Sequence, residues 1–158
     1  MQPEAHHYRG IEMNQQVWKL LGQKDRDERD NRRMEHFALA SLYHWEQSPK
    51  FAPINAQRGH WLLTRVYAVL ARSNETLLHA EKCMSLTLEL DLKDFDLAYA
   101  HEGLARAHAS AGNTDKAKEQ YRRAVEAGEA IAGDEDKTSF MGDLEGQPWF
   151  GMKVSLSR

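Results

Sequence analysis

The stretch AYAHEGLARAHASAGNTDKAKEQYRRAVEAGE, residues 98–129, decides the fold. It holds two helical patterns separated by Gly112 and Asn113, a pair typical of one helix ending and the next beginning. Small side chains recur inside both patterns, at Ala105, Ala117 and Ala124. Because small side chains let two helix backbones approach closely, the stretch predicts a tightly packed helical hairpin.

Similar patterns extend over most of the chain. Apolar residues at helical spacing, interrupted by proline, glycine or charged linkers, predict seven helices. We expect them at about 11–21, 28–47, 53–72, 75–90, 96–111, 114–132 and 135–144. Alanine and leucine are abundant and β-branched residues are few, which disfavours strands. The sequence therefore predicts an all-α fold, an antiparallel array of helical hairpins.

The predicted helices belong to a single domain. We expect residues 1–9 to be loose, residues 10–145 to form the helical domain and residues 146–158 to be an extended tail. Trp149 and Phe150 are apolar enough that they should pack against the domain. Cys83 is the single cysteine, so no internal disulfide can form and a reducing compartment is expected.

The hairpin pattern occurs twice, in units covering about 61–94 and 98–131. Packing residues match between the units at an offset of 37 residues: Ala68 with Ala105, Ala80 with Ala117, and Met84 with Tyr121. These residues and the turn at Gly112 resemble the tetratricopeptide repeat, a helix-turn-helix unit of about 34 residues. The strings SLYHW at 41–45 and DFDLAYAHE at 94–102 are similar to a group of small bacterial tetratricopeptide-like proteins.

The resemblance implies a superhelix in which the first helix of each pair lines a concave groove. It assigns to that groove, as exposed positions, Leu62, Arg65, Val69 and Arg72 in one unit and Tyr99, Glu102, Arg106 and Ser110 in the next. His44, beside two aromatic residues on the second predicted helix, is a further candidate for lining a groove.

Side chains of this kind suit a protein or peptide partner. Arginine presents a planar fork of donors to a carboxylate, and tyrosine offers a rigid amphipathic surface. The predicted partner-binding residues are Arg65, Arg72, Tyr99, Glu102, Arg106 and His44. The expected partner is a protein or peptide, and the three arginines would suit an acidic or C-terminal peptide. The alternative is that the arginines pair with Glu102 and Glu75 on a solvated face.

No catalytic motif is visible in the sequence. It has no G-x-S-x-G element and no phosphate-binding glycine loop after a strand. The pairs His36/His44 and His101/His108 are eight and seven residues apart, whereas metal ligands on one helix sit three or four apart. We therefore expect a non-enzymatic interaction module without metal or cofactor. The alternative is a small-molecule-binding protein or an unrecognised enzyme that uses His44, Trp45 and Trp61.

Charge and hydropathy restrict the partners further. A net charge of −3 argues against binding to nucleic acid or to anionic membranes. The sequence contains no apolar run long enough to span a bilayer and no signal-peptide pattern at its start, so a cytoplasmic location is expected. A homodimer is left open, because a short helical array exposes apolar surface at its ends.

Overall fold

The computed structural model describes residues 1–155, and over that range the chain forms seven α-helices and no strand. The helices are α1 Pro3–Leu21, α2 Glu28–Gln47, α3 Pro53–Val69, α4 Ser73–Glu89, α5 Asp94–Ser110, α6 Thr114–Glu129 and α7 Asp134–Glu145. The predicted all-α fold is confirmed. Residues 156–158 of the predicted tail lie outside the described residues.

Consecutive helices pair into three antiparallel hairpins, α1–α2, α3–α4 and α5–α6. The second helix of each hairpin packs against the first helix of the next one, and α3 also contacts α5. Ala117 and Ala124 are fully buried between α5 and α6, as the sequence predicts. Helix α7 does not continue this series of hairpins and packs across both α5 and α6.

The hairpins α3–α4 and α5–α6 repeat at a longer offset than predicted. Helices α3 and α5 begin 41 residues apart, and the turns that follow them place Ala71 (φ +56°) and Gly112 (φ +78°) in the same left-handed conformation. The predicted units 61–94 and 98–131 are therefore wrong by about one helical turn. Residues four apart share a helix face, so the alanine pattern alone could not distinguish the predicted offset of 37 residues from the observed offset of 41.

The N-terminus is helical from Pro3, so the expectation that residues 1–9 are loose is wrong. Pro3 suits the first turn of a helix, where its missing N–H is not needed. The His6 and His44 Nδ1 atoms lie 2.8 Å apart, and the His7 ring packs edge-on against Trp45. These contacts with α2 come from residues nearly forty positions away, which a local sequence pattern does not reveal.

The C-terminal segment is anchored to α5 by a buried charge. Arg106, which is 3 % exposed, forms an ion pair with Glu102. Its guanidinium also donates to three carbonyl oxygens at the end of α7 and beyond, at 2.7–2.9 Å: those of Asp143, Gly146 and Pro148. A single side chain thus satisfies the last carbonyls of one helix and holds the following segment against another.

Trp149 completes this anchor. Its ring is fully buried 4.1 Å from the Arg106 guanidinium, and its Nε1–H donates to the Leu144 carbonyl at 3.0 Å. Phe150, by contrast, remains 37 % exposed. The expectation that the tail packs against the domain therefore holds for Trp149 and is wrong for Phe150.

Replacing Arg106 by alanine should destabilise the fold strongly. The change leaves the Glu102 carboxylate buried without its partner and frees three carbonyls, a loss of roughly 3–5 kcal/mol in the free energy of unfolding. Arg123→Ala breaks only an exposed ion pair with Glu119 and should cost less than about 1 kcal/mol. Urea unfolding followed by circular dichroism measures both. Equal losses for the two variants would contradict the anchoring role of Arg106.

Candidate functional site

An open cleft of about 660 Å³ lies on the side of the array formed by the first helix of each hairpin, that is by α1, α3 and α5. Helices α1, α2, α3 and α5 and the end of α7 all contribute to its walls. Five aromatic side chains line it: Trp18, Trp45, Trp61, Phe95 and Tyr99. Its volume falls within the range of ~300–1,000 Å³ typical of ligand sites.

Three of these rings form a continuous row across successive first helices. Trp18 of α1 lies 5.7 Å from Trp61 of α3, and Trp61 lies 4.9 Å from Tyr99 of α5, measured between ring centroids. The row ends on Phe140 of α7, whose ring meets Tyr99 edge-on at 4.9 Å. Because each ring comes from a different helix, the packing of the helices creates a platform that no single helix carries.

Trp45 reaches the cleft because α1 and α2 approach closely at Gly10. A Cβ atom at that position would lie 2.9 Å from the Trp45 ring, so only glycine fits there without displacement. Next to it, the buried Ser41 hydroxyl donates to the Gly10 carbonyl at 2.8 Å. The glycine and the serine together fix where the Trp45 ring lies.

Two residues that line the cleft, Gln57 and Trp61, each carry an enclosed polar atom without a hydrogen-bond partner among the residues that the structure describes: Gln57 Oε1 and Trp61 Nε1. Gln57 is 1 % exposed, and its Nε2 donates to Thr87 Oγ1 at 3.0 Å. The Thr87 hydroxyl donates in turn to the Cys83 carbonyl, which leaves its oxygen as the acceptor and fixes the orientation of the Gln57 amide. Gln57 and Trp61 lie one turn apart on α3.

The charged side chains at the cleft pair with one another. Arg58 forms a two-pronged bond with Asp96, with both N–O distances at 3.1 Å. Asp143 accepts a hydrogen bond from the Tyr99 hydroxyl at 2.6 Å and lies 3.8 Å from Arg65. Burial, and then the Asp143 carboxylate, raise the pKa of Tyr99 well above its usual value. The cleft therefore presents no uncompensated charge from these groups.

The structure separates the predicted groove residues. Tyr99 lines the cleft, and Arg65 lies at its edge against Trp18 and Asp143. Arg72 is away from the cleft, where it pairs with Glu35 at 2.8 Å and Glu75 at 2.5 Å.

Glu102, Arg106 and Leu62 are all 3 % exposed or less, so the prediction that they are exposed is wrong, although Leu62 is among the residues that line the cleft. The alternative pairing of the arginines with Glu102 and Glu75 is what the structure shows, although the Arg106 pair is buried rather than solvated. For Glu102 and Arg106 the physical reason is that α7 and the segment after it cover this part of α5.

His44 does not line the cleft. It bonds to His6, and burial followed by the charge of His6 lowers its pKa. The predicted cluster of His44, Trp45 and Trp61 is therefore split, because only its two tryptophans are cleft residues. Within residues 1–155 no group of three or more His, Cys, Asp or Glu side chains could hold a metal ion.

A second histidine pair joins α3 to α4 away from the cleft. The Nδ1 atoms of His60 and His79 are 3.0 Å apart, and the Tyr67 ring stacks on His79. Burial lowers the pKa of His60 to about 4, with further lowering from His79 and Lys82. Burial and Lys82 also lower the pKa of His79.

Cys83 of α4 packs against α3, the helix that contributes Gln57 and Trp61 to the cleft wall. It is 2 % exposed, and its Sγ is 3.6 Å from Gln57 Nε2. Burial raises the pKa of this thiol to about 12. The protonated, enclosed sulfur is a packing group rather than a nucleophile.

Sequence reasoning missed most of the residues that form the cleft. Trp18, Gln57, Phe95, Asp96 and Asp143 were not predicted as site residues, although each lines it. A signal was present at two of them. Trp18 is a large aromatic residue at the exposed edge of an apolar stripe, and Gln57 is a polar residue four positions before Trp61 on a helix with a buried face.

Comparison of the chain with protein-family models, curated proteins and solved structures finds no match. Among residues 1–155, no helix has both the length and the apolar character needed to cross a bilayer.

Acid should destabilise the protein through the His60–His79 pair. Because the pKa of His60 is lower in the folded protein than its ordinary 6.5, the unfolded chain takes up the proton first. Stability is then complete above about pH 6.5 and falls as the pH drops towards the folded value, by roughly 1–2 kcal/mol at pH 5 for a partly buried ring.

Urea unfolding at pH 7 and pH 5 measures this loss for the wild type, for His60→Gln and for the control His36→Gln, whose ring is exposed. The His60 variant should lose part of the pH dependence and the His36 variant should retain it. Identical pH dependence in all three proteins would contradict the role of the pair.

Proposed function

We propose that the chain is a tetratricopeptide-like interaction module of the bacterial cytoplasm that binds a peptide segment of a partner protein in the concave cleft. The three stacked hairpins and the cleft along their first helices support this proposal. The 41-residue spacing of α3 and α5 exceeds the 34 residues of the family repeat, so the likeness lies in the hairpin architecture rather than in the repeat length.

The observation that carries the proposal is the aromatic row of Trp18, Trp61 and Tyr99. Rings that serve only to fill a core are enclosed, whereas Trp18 is 40 % exposed at the mouth of an open cleft. Tryptophan and tyrosine dominate the energetics of protein recognition because they bury a large rigid surface at little entropic cost. A row of such rings across three helices suits an extended ligand.

The enzymatic alternative has less support from the geometry. No histidine and no cysteine lines the cleft among the described residues, and the histidine pairs lie elsewhere. General acid-base and nucleophilic catalysis usually need such groups within reach of a bound substrate. We therefore favour binding without catalysis.

The partner that fits is uncharged rather than acidic. Arg65, Arg72 and Arg106 each pair with a carboxylate of the chain itself. An acidic peptide would have to displace these carboxylates, which offsets the attraction that it gains. An apolar segment with an aromatic side chain can bind without displacing these carboxylates.

A second copy of the chain is the other candidate partner. Leu39 and Tyr43 lie one turn apart on α2 and are 42 % and 54 % exposed, at the open end of the array. An uncovered apolar end of this kind favours pairing between two molecules. Light scattering at high protein concentration tests it: a dimer that Tyr43→Glu dissociates is expected, and a monomer at all concentrations would exclude it.

Selection from a phage library of random dodecapeptides tests the peptide-binding proposal. We expect the wild-type protein to enrich uncharged sequences that carry an aromatic residue. Synthetic versions of these peptides should then bind Trp18→Ala about tenfold more weakly in fluorescence anisotropy, because the exposed ring that contacts the ligand is gone.

The matched control is Tyr8→Ala on the same helix. Tyr8 is 68 % exposed and does not line the cleft, so its loss should change affinity less than twofold. Failure to enrich any sequence family, or equal losses in the Trp18 and Tyr8 variants, would refute binding in the cleft.

A further inference from the structure

The first turns of α1 are held against the end of α2 by contacts that reach the cleft wall. His6 Nδ1 lies 2.8 Å from His44 Nδ1, and the His7 ring packs edge-on against Trp45 at 5.1 Å between ring centroids. One turn further along α1, the backbone at Gly10 lies directly against the same tryptophan ring. Because Trp45 lines the cleft, the position of these turns fixes part of its wall.

The bond between His6 and His44 depends on a single proton between two ring nitrogens. One imidazole donates its Nδ1–H and the other accepts with its Nδ1 lone pair. Two neutral rings can form this bond, and so can one neutral and one protonated ring. When both rings are protonated, each Nδ1 carries a hydrogen, the acceptor is lost, and two positive charges face each other. A second proton therefore turns the attraction into a repulsion.

The surroundings of the pair do not offset the second charge. The groups that act on the charge of His44 are His6 and Arg9, and Arg9 is itself paired with Glu12 at 2.7 Å. On α2, the Tyr43 ring lies edge-on to both imidazoles. Burial, then His6 and Arg9, lower the pKa of His44 from its ordinary 6.5. The bond is therefore complete above this pH and is lost as the pH falls towards the lower, folded value.

We propose that the His6–His44 bond is a proton-sensitive attachment that controls the cleft: at neutral pH it holds the first turns of α1 against α2 and keeps the wall at Trp45 formed, and in acid its loss frees these turns and weakens ligand binding. The control of binding rests on the proposed function, because it takes the cleft to be a peptide site. The attachment itself needs no ligand and can be measured without one.

Hydrogen exchange at the backbone amides of residues 8–10 measures the attachment directly. These amides are among the first that are bonded within α1, and they exchange when the helix end opens, without unfolding of the whole protein. After correction for the chemical effect of pH on exchange, their protection in the wild type should fall about five- to tenfold between pH 7.5 and pH 5. A fall of less than twofold would overturn the attachment.

The variant His44→Gln separates proton sensing from packing. Its side-chain oxygen can accept from His6 whether or not His6 is protonated, so the protection of residues 8–10 should be equal at the two pH values. A merely structural role of His44 would lower protection at both and leave the pH dependence in place. His7 still titrates beside Trp45 in this variant, so a pH response that persists would assign the effect to His7 and overturn the proposal.

The matched control is His60→Gln, which removes one ring of the other histidine pair, between α3 and α4. This variant should keep the full pH response of residues 8–10, because that response does not follow the loss of global stability in acid. Circular dichroism checks that each protein remains folded at pH 5. Loss of the response in His60→Gln would show that global stability causes it and would overturn the proposal.

Peptide binding tests the control of the cleft. The probe is one of the selected peptides, acetylated, amidated and without ionisable side chains, so any pH dependence of its binding comes from the protein. In fluorescence anisotropy, wild type and His60→Gln should bind it about fivefold more weakly at pH 5 than at pH 7.5, and His44→Gln less than twofold more weakly. Equal losses in all three proteins, or no loss in a wild type whose exchange responds, would overturn this control.

These outcomes are distinguishable from failure of the proposed function. If the selection yields no peptide, the proposed function falls and the control of the cleft falls with it. The exchange measurements still decide by themselves whether the histidine bond is proton-sensitive.

Discussion

The guanidinium of Arg106 is the constraint around which the C-terminal half of the structure is organised. A charge with 3 % exposure must be paired and fully hydrogen-bonded, and Glu102 and three backbone carbonyls meet that requirement. One of those carbonyls belongs to Asp143, whose carboxylate accepts the Tyr99 hydroxyl. The ion pair therefore also sets the position of one wall of the cleft.

Tryptophan has two distinct roles in this chain. Trp149 is enclosed, donates its N–H to a carbonyl and stacks beneath Arg106, so all of its chemistry is used within the fold. Trp18 and Trp61 differ from it: the Trp18 ring is partly exposed, and the buried Trp61 N–H has no partner within residues 1–155. The contrast separates a ring that stabilises the domain from the two rings for which we propose a role in recognition.

Local signals in the sequence were sufficient for the fold class and insufficient for the site. Pro53 and Gly112 mark helix boundaries through backbone geometry that a single residue decides, and α2 has the predicted bounds. The repeat register depended on alanines, which fit equally well after a shift of one turn. The cleft depends on contacts such as Gln57 with Thr87 and Arg106 with Pro148, which join residues thirty to forty-two positions apart and leave no local pattern.

The rate at which the enclosed thiol of Cys83 is alkylated reports motion within the folded protein. The sulfur lies between α3 and α4, and an alkylating reagent can reach it only when these helices separate. The rate at which the native protein is modified therefore counts openings of the middle hairpin. Because Gln57 stands next to this sulfur, any occupant that steadies the cleft wall from the opposite side would slow the labelling without touching the cysteine.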